Sequence, residues 1–317
     1  MVLSLDEWET VSDAQAFLAV ARSGAGLPFP GNGDTGDRFH VLRVTSARNP
    51  SIGRLLEAHC DAQAIFHEAK VETPANMGMA VWASSSISRV IGTSTRRGIL
   101  LNGTQHFCGG AGVVDGALMT VSCDDGERLV FVRLHQNGIE TDLSNWKTPA
   151  FSQASVGTVH LTNVEIPAAD LVGDPHFYSA RPGFWWGAVG VAACWAGITD
   201  RLIDMQRQRS TRCDEIACVE LGLQSALRWG IDASLDVAGR LIDQPSRESA
   251  RMLALSARHQ VATAANAILE SIEHEVGPGP LAFDPGWVQT VTELRMALGQ
   301  HHGSRDLREL GNLMLCS

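Results

Sequence analysis

Two histidines stand side by side near the C-terminal end of the chain, His301 and His302. A pair of imidazoles can take up and release a proton close to neutral pH, so they are candidate catalytic groups. The other account of the same residues is a helix end whose histidines face solvent and the helix dipole. A further histidine, His106, directly precedes Phe107, Cys108 and Gly109. On a strand, His106 and Phe107 point to opposite faces, which makes His106 a structural residue beside an aromatic one. The chain has no G-x-S-x-G elbow, and no phosphate loop or dinucleotide fingerprint follows a strand. No His, Asp and Glu set has metal-ligand spacing, so no metal site is expected. The cysteines Cys60, Cys108, Cys123, Cys194, Cys213, Cys218 and Cys316 are scattered, odd in number and without a C-x-x-C pair. That pattern argues against a disulfide framework and against structural zinc.

Positioning such groups takes a sizeable scaffold. The 317 residues are 44% hydrophobic, enough for the cores of two or three domains. The net charge of −10 repels nucleic-acid phosphates, so nucleic acid is not expected as a partner. The N-terminal MVLSLDEWET is acidic and lacks an apolar signal region. The longest apolar candidate, residues 184–198, is interrupted by Gly187, Gly190 and Gly197 and falls short of the roughly 20 residues of a membrane span. The expected location is the reducing cytoplasm.

Three zones of periodicity follow one another. Residues 1–70 read as helical. A loop over 23–37, SGAGLPFPGNGDTGD, separates two helices, and an apolar stripe over 51–70 includes Ile52, Leu55, Leu56, Ala62, Ile65 and Phe66. Residues 71–175 read as β, with short β-branched runs between turn signals at Asn102-Gly103, Asp125-Gly126 and Asn137-Gly138. Asn102-Gly103 predicts a type I′ hairpin turn. Residues 176–317 return to helical periodicity, with segments near 183–208, 214–243, 247–275 and 286–315. The fold class is therefore α+β: N-terminal helices, a central antiparallel β-domain and a C-terminal four-helix bundle.

Two segments carry a resemblance. Gly98–Ala111, GILLNGTQHFCGGA, is similar to the hairpin of acyl-CoA dehydrogenases, which ends in L-N-G-x-K-x-(F/W)-x-(S/T)-(N/G)-(G/A). Val156–Gly173, VGTVHLTNVEIPAADLVG, resembles that family's F-x-N-V-x-V-P-x-x-x-L-G segment. The chain is thereby identified as a short, divergent member of the acyl-CoA dehydrogenase superfamily. The resemblance implies an FAD cofactor. Phe107 becomes the neighbour of the flavin ring, with Cys108 and Gly109 beside it; Gly109 stands where a Ser or Thr is usual. The loop Thr73–Trp82 corresponds to a second flavin-facing segment, with Trp82 and Ala83 as the contacts. The family's R-x-x-(F/W)-G, whose Arg grips FAD of a neighbouring subunit, is replaced by Gln208–Asp214, which leaves Arg209 and Arg212 as pyrophosphate ligands.

Dehydrogenation of an acyl thioester needs a carboxylate base. The family's two places for it fall here on the start of the first bundle helix, which has no carboxylate, and near Met314. Three readings remain open. One is a flavin-dependent oxidoreductase acting on an acyl thioester or similar activated substrate. The second is a non-catalytic binding or assembly subunit of the same fold. The third is a monooxygenase using reduced flavin from a partner, with His301 and His302 handling protons. A homo-oligomer is expected through the bundle, at faces around Trp185, Trp186, Trp195 and Leu221–Leu227.

Overall fold

A computed structural model describes residues 7–8, 10–83, 89–209, 215–244 and 249–315. The chain divides into two compact units. One comprises the residues up to Leu27 together with Arg54–Phe184, the other Pro28–Gly53 together with Trp185 onward.

The first unit holds α1 (Ala14–Arg22), most of α3 (Pro50–Ala69), seven strands and the short α4 (Phe177–Ala180). Asp13 caps α1 by accepting the N–H groups of Gln15 and Ala16, both at 2.9 Å. Every named member of the α3 stripe is buried. Ala62, Ile65 and Phe66 pack with Met79, Leu118, Leu129, Phe131 and Val172, and the rings of Phe66 and Phe131 meet edge to face at 5.5 Å. The strands are β1 (Met79–Trp82), β2 (Arg89–Thr95), β3 (Gly98–Cys108), β4 (Gly116–Cys123), β5 (Gly126–Arg133), β6 (Ile139–Asp142) and β7 (Gly157–Pro167). They form one sheet in the order β1-β4-β2-β3-β7-β6, with β5 on β4. The α+β class holds and most ladders are antiparallel, but β1 and β2 follow one another along β4 as parallel partners. Asp115, just before β4, accepts the Gly78 N–H at 2.8 Å and pairs with Arg22 at 2.6 Å, fixing where β4 starts against β1.

One turn signal is overridden. Asn102 and Gly103 lie inside β3, paired with Ile91 and Val90 of β2. The irregularity sits instead on β7, where Asn163 adopts φ 53° and donates its N–H to Asn102 Oδ1 at 2.9 Å. Gly103 is required because its φ is 137° and a Cβ there would lie 2.1 Å from the Arg89 carbonyl oxygen. The β2–β3 turn falls at Arg96-Arg97 and the β4–β5 turn at Asp124-Asp125, closed by Gly126 at φ 121°.

The second unit contains α2 (Thr35–Arg48), α5 (Pro182–Arg209), α6 (Glu215–Asp243), α7 (Ala250–Val276), α8 (Gly279–Phe283), α9 (Pro285–Leu298) and α10 (Ser304–Leu315). Two features of α2 explain how it fits here. Arg43 pairs with Asp200 at 2.6 Å and with Asp232, so one cation serves α5 and α6 together. Gly197 lets α5 approach closely: a Cβ would stand 2.1 Å from the Arg43 carbonyl oxygen. The segment read as one helix over 286–315 is two helices, separated at Gly299–Gly303, where Gly303 takes φ 52°. Among the described residues no helix is long and apolar enough to cross a membrane.

Candidate functional site

The end of β3 departs from regular strand geometry at the residues with functional interest. Gln105 pairs with Val159 and Cys108 with Gly157, so His106 and Phe107 face a single β7 residue, Thr158, across a bulge. Phe107 takes the left-handed conformation, φ 57°, rare for a bulky side chain and worth roughly 1–3 kcal/mol of strain. The bulge leaves the ring 50% exposed, and simple alternation of faces does not apply here. Its neighbour is Trp146, whose ring stands at 88° with centroids 6.2 Å apart.

The backbone beyond Phe107 is held from several sides. The buried Trp82 donates its Nε1–H to the Gly109 carbonyl at 2.9 Å. Gly110 N–H reaches the Ala154 carbonyl at 2.8 Å, and the Gly110 carbonyl accepts from Val113 and Val114, both at 2.8 Å. Trp82, Phe107, Cys108 and Gly109 are thus brought together, with Trp82 beneath the strand end. Gly109 faces open space, with no heavy atom within 4 Å of where its Cβ would lie. Gly110 is the opposite case: φ is 79° and a Cβ would meet Val114 Cγ1 at 2.9 Å. Cys108 is buried, its Sγ–H donates to the Gln105 carbonyl at 3.3 Å, and burial pushes its pKa far up. It is a packed thiol, not a nucleophile.

An exposed aromatic face, a glycine opening beside it and a rigid backbone are what a planar heteroaromatic ring requires, so the strand end fits the ring of a flavin. The phosphate-binding expectation is less simply met. Arg209 belongs to the other unit, pairs with Asp284 at 2.6 Å and lies over Trp287 at 5.6 Å. Arg212 lies outside the described residues.

His301 and His302 occupy the connection between α9 and α10. The two have different surroundings: His302 is exposed, with its N–H on Asp306 Oδ2 at 3.2 Å. His301 is half-buried, and its ring neighbour is His259 of α7, centroids 5.3 Å apart. Burial holds the His301 pKa below its ordinary value; His259 and Arg258 add to this and Asp306 opposes it. The connection is anchored by Arg258, which donates to the carbonyls of Gln300 at 3.0 Å and Ala188 at 2.8 Å and lies over Trp195 at 4.5 Å. A neutral imidazole at pH 7 can accept a proton and return it. Sequence reasoning missed His259, which is 42 residues from His301 and carries no motif. It also missed Trp146. Among the described residues no group of three or more His, Cys, Asp or Glu could hold a metal ion.

No family model matches the sequence, and no curated protein matches it. Solved structures do resemble it. Dibenzothiophene monooxygenase (TdsC) from Paenibacillus sp. A11-2 matches 98% of this chain and 96% of its own at 16% identity, TM-score 0.76. Methanesulfinate monooxygenase MsuC from Pseudomonas fluorescens matches 99% and 97% at 14% identity, TM-score 0.77. Butyryl-CoA dehydrogenase from Megasphaera elsdenii matches 96% and 91% at 13% identity, TM-score 0.78. With near-complete coverage in both directions, the chain has the acyl-CoA dehydrogenase fold.

Proposed function

We propose that the chain is a flavin-dependent oxidoreductase whose ring-binding surface is the Phe107–Gly110 end of β3. The observation that carries the reading is the strained, half-exposed Phe107 beside the open Gly109. Strain of that kind persists only where the surrounding structure over-determines it, and it clusters at ligand sites. When bound, a flavin supplies the redox chemistry. The chain's own residues orient it and exchange protons. Arg209 and Arg212 stay the proposed ligands of a flavin phosphate. TdsC structures include complexes with FMN and with indole.

Of the reaction types, oxygen-using chemistry is the one proposed. α-Proton abstraction from a thioester calls for a carboxylate of raised pKa, and neither place the family offers for it carries one here. TdsC and MsuC, both described as monooxygenases, support the same choice. The test supplies the purified protein with chemically reduced FMN and oxygen, using indole and dibenzothiophene as substrates. A parallel assay offers butyryl-CoA with an artificial electron acceptor. Oxygenated product in the first assay alone is expected. Turnover in the second alone supports the thioester reading, and flavin binding or turnover in neither supports a non-catalytic subunit.

The proposed assembly is a homo-oligomer through the helical unit. Of the expected tryptophans, Trp195 is buried beneath Arg258, and Trp185 and Trp186 are half-buried, with Arg251 5.1 Å from the Trp185 ring. The apolar surface lies on α6. Val219 is 69% exposed and Trp229 73%, and Leu223 and Val237 are also exposed. At 100° per residue these fall within about a third of the helix circumference, with Ala226, Gly230 and Ala233 among them. The proposed location is the cytoplasm, in keeping with the scattered cysteines and the lack of a C-x-x-C pair in the sequence.

A further inference from the structure

The segment between β6 and β7 is built to present one side chain. Asp142 Oδ1 accepts the Ser144 N–H at 2.8 Å and its hydroxyl at 2.7 Å, folding the chain directly after β6. Trp146 Nε1–H donates to the Ala150 carbonyl at 2.8 Å, so one edge of the indole is tied to its own loop. The opposite tie runs through Asn145. Its amide donates to the hydroxyl of Thr158, a buried β7 residue, and the same hydroxyl lies 3.1 Å from His106 Nδ1. A hydroxyl has one proton and two lone pairs. Asn145 uses one lone pair, and the hydroxyl can still donate to His106 Nδ1 or accept from it. The contact therefore survives either tautomer of His106.

Trp146 is the residue after Asn145, and its ring stands perpendicular to Phe107 at 6.2 Å. The two rings form a right-angled aromatic corner with the open Gly109 beside it. We propose that Trp146 is a second ring-binding residue, the side wall of the flavin seat, and that His106–Thr158–Asn145 is a positioning chain that sets its place. The ring assignment rests on the flavin reading above. His106, read from sequence as structural, thereby acts on the site through two intermediaries, and its bulged position opposite Thr158 is what permits it. Phe107 offers the face and Trp146 the edge constraint, so a planar ring is held against sliding as well as lifting.

The test combines two readouts on the full chain. FMN is titrated into wild type, Trp146→Ala, Asn145→Ala, Thr158→Val and Thr158→Ser, following quenching of flavin fluorescence. Separately, hydrogen exchange at the Trp146 indole N–H is measured by NMR without flavin, with the resonance assigned from Trp146→Phe. Trp146→Ala is expected to weaken FMN binding by about 5- to 10-fold, a factor typical of losing one aromatic contact. Thr158→Val and Asn145→Ala should each weaken binding by a smaller factor and accelerate indole exchange. Thr158→Ser, which keeps the hydroxyl, should restore both. Asn145 is exposed, so its variant keeps the test valid if a change at buried Thr158 disturbs folding. Unchanged indole exchange in Asn145→Ala overturns the positioning chain. Unchanged FMN affinity in Trp146→Ala, where Phe107→Ala weakens binding, overturns the wall while leaving the flavin reading standing. Failure of wild type to bind FMN removes the ring assignment with that reading, and the exchange rates then decide the positioning chain alone.

Discussion

Replacing Gly109 by serine adds one hydroxyl on the open side of the β3 end. The position tolerates it: no heavy atom lies within 4 Å of the new Cβ, and Gly109 is not among the glycines with positive φ. Stability should change by less than about 1 kcal/mol, because replacing glycine in an unstrained conformation mainly reduces the freedom of the unfolded chain. The Trp82–Gly109 hydrogen bond uses the backbone carbonyl and is untouched. If the flavin ring lies against this strand end, the hydroxyl gains a hydrogen bond worth about 0.5–1.5 kcal/mol, or roughly 2- to 12-fold in affinity. The neighbouring glycine is the control. Gly110→Ser must force a side chain into φ 79° and against Val114 at 2.9 Å, which should lower stability by about 1–3 kcal/mol and weaken binding. Both variants are assayed by thermal unfolding and by FMN and FAD titration. A Gly109→Ser protein with unchanged melting temperature and unchanged or weaker flavin affinity would refute the placement of the ring.

Three further outcomes are expected. Phe107→Gly removes about 1–3 kcal/mol of left-handed strain and loses an edge-to-face contact of about 0.5–1.5 kcal/mol, so urea denaturation should find stability nearly unchanged or raised while flavin affinity falls. His301 has a depressed pKa in the folded chain, so the stability it contributes is present above the unfolded value near 6.5 and lost as pH falls through the lower folded value. His301→Gln should therefore flatten the loss of stability below about pH 6.5, measured as melting temperature against pH. Asp284→Ala removes the cap on the Trp287 N–H at 3.0 Å and frees Arg209, costing about 1 kcal/mol by chemical denaturation while strengthening FAD binding if Arg209 is a phosphate ligand.

The parts of the fold written in local periodicity were legible. The α3 stripe reads directly as a helix face, and the switch to short β-branched runs marks the strands because period 2 and period 3.6 do not mimic one another. Asn102-Gly103 misled because a turn signal is local while β3 has pairing partners on both edges; ladder bonds along eleven residues outweigh one turn preference. The two glycines at 299 and 303 split a segment whose apolar spacing reads as continuous. At the site, the motif around Phe107 located the strand end and joined it to Trp82. Nothing in the sequence placed Trp146 or His259, since each comes into contact through tertiary packing from a segment without a pattern of its own. The left-handed backbone at Phe107 was equally invisible, because it arises from a bulge set by β7.

The central claim is that a flavin ring binds on the Phe107–Gly110 strand end. Its most direct test is a visible difference titration of the purified protein with FMN, repeated with Phe107→Ala. Saturable perturbation of the flavin bands by wild type, with affinity lowered several-fold in Phe107→Ala at unchanged melting temperature, is the result this account predicts. A flavin spectrum that wild type leaves unperturbed, or equal binding by both proteins, would contradict it.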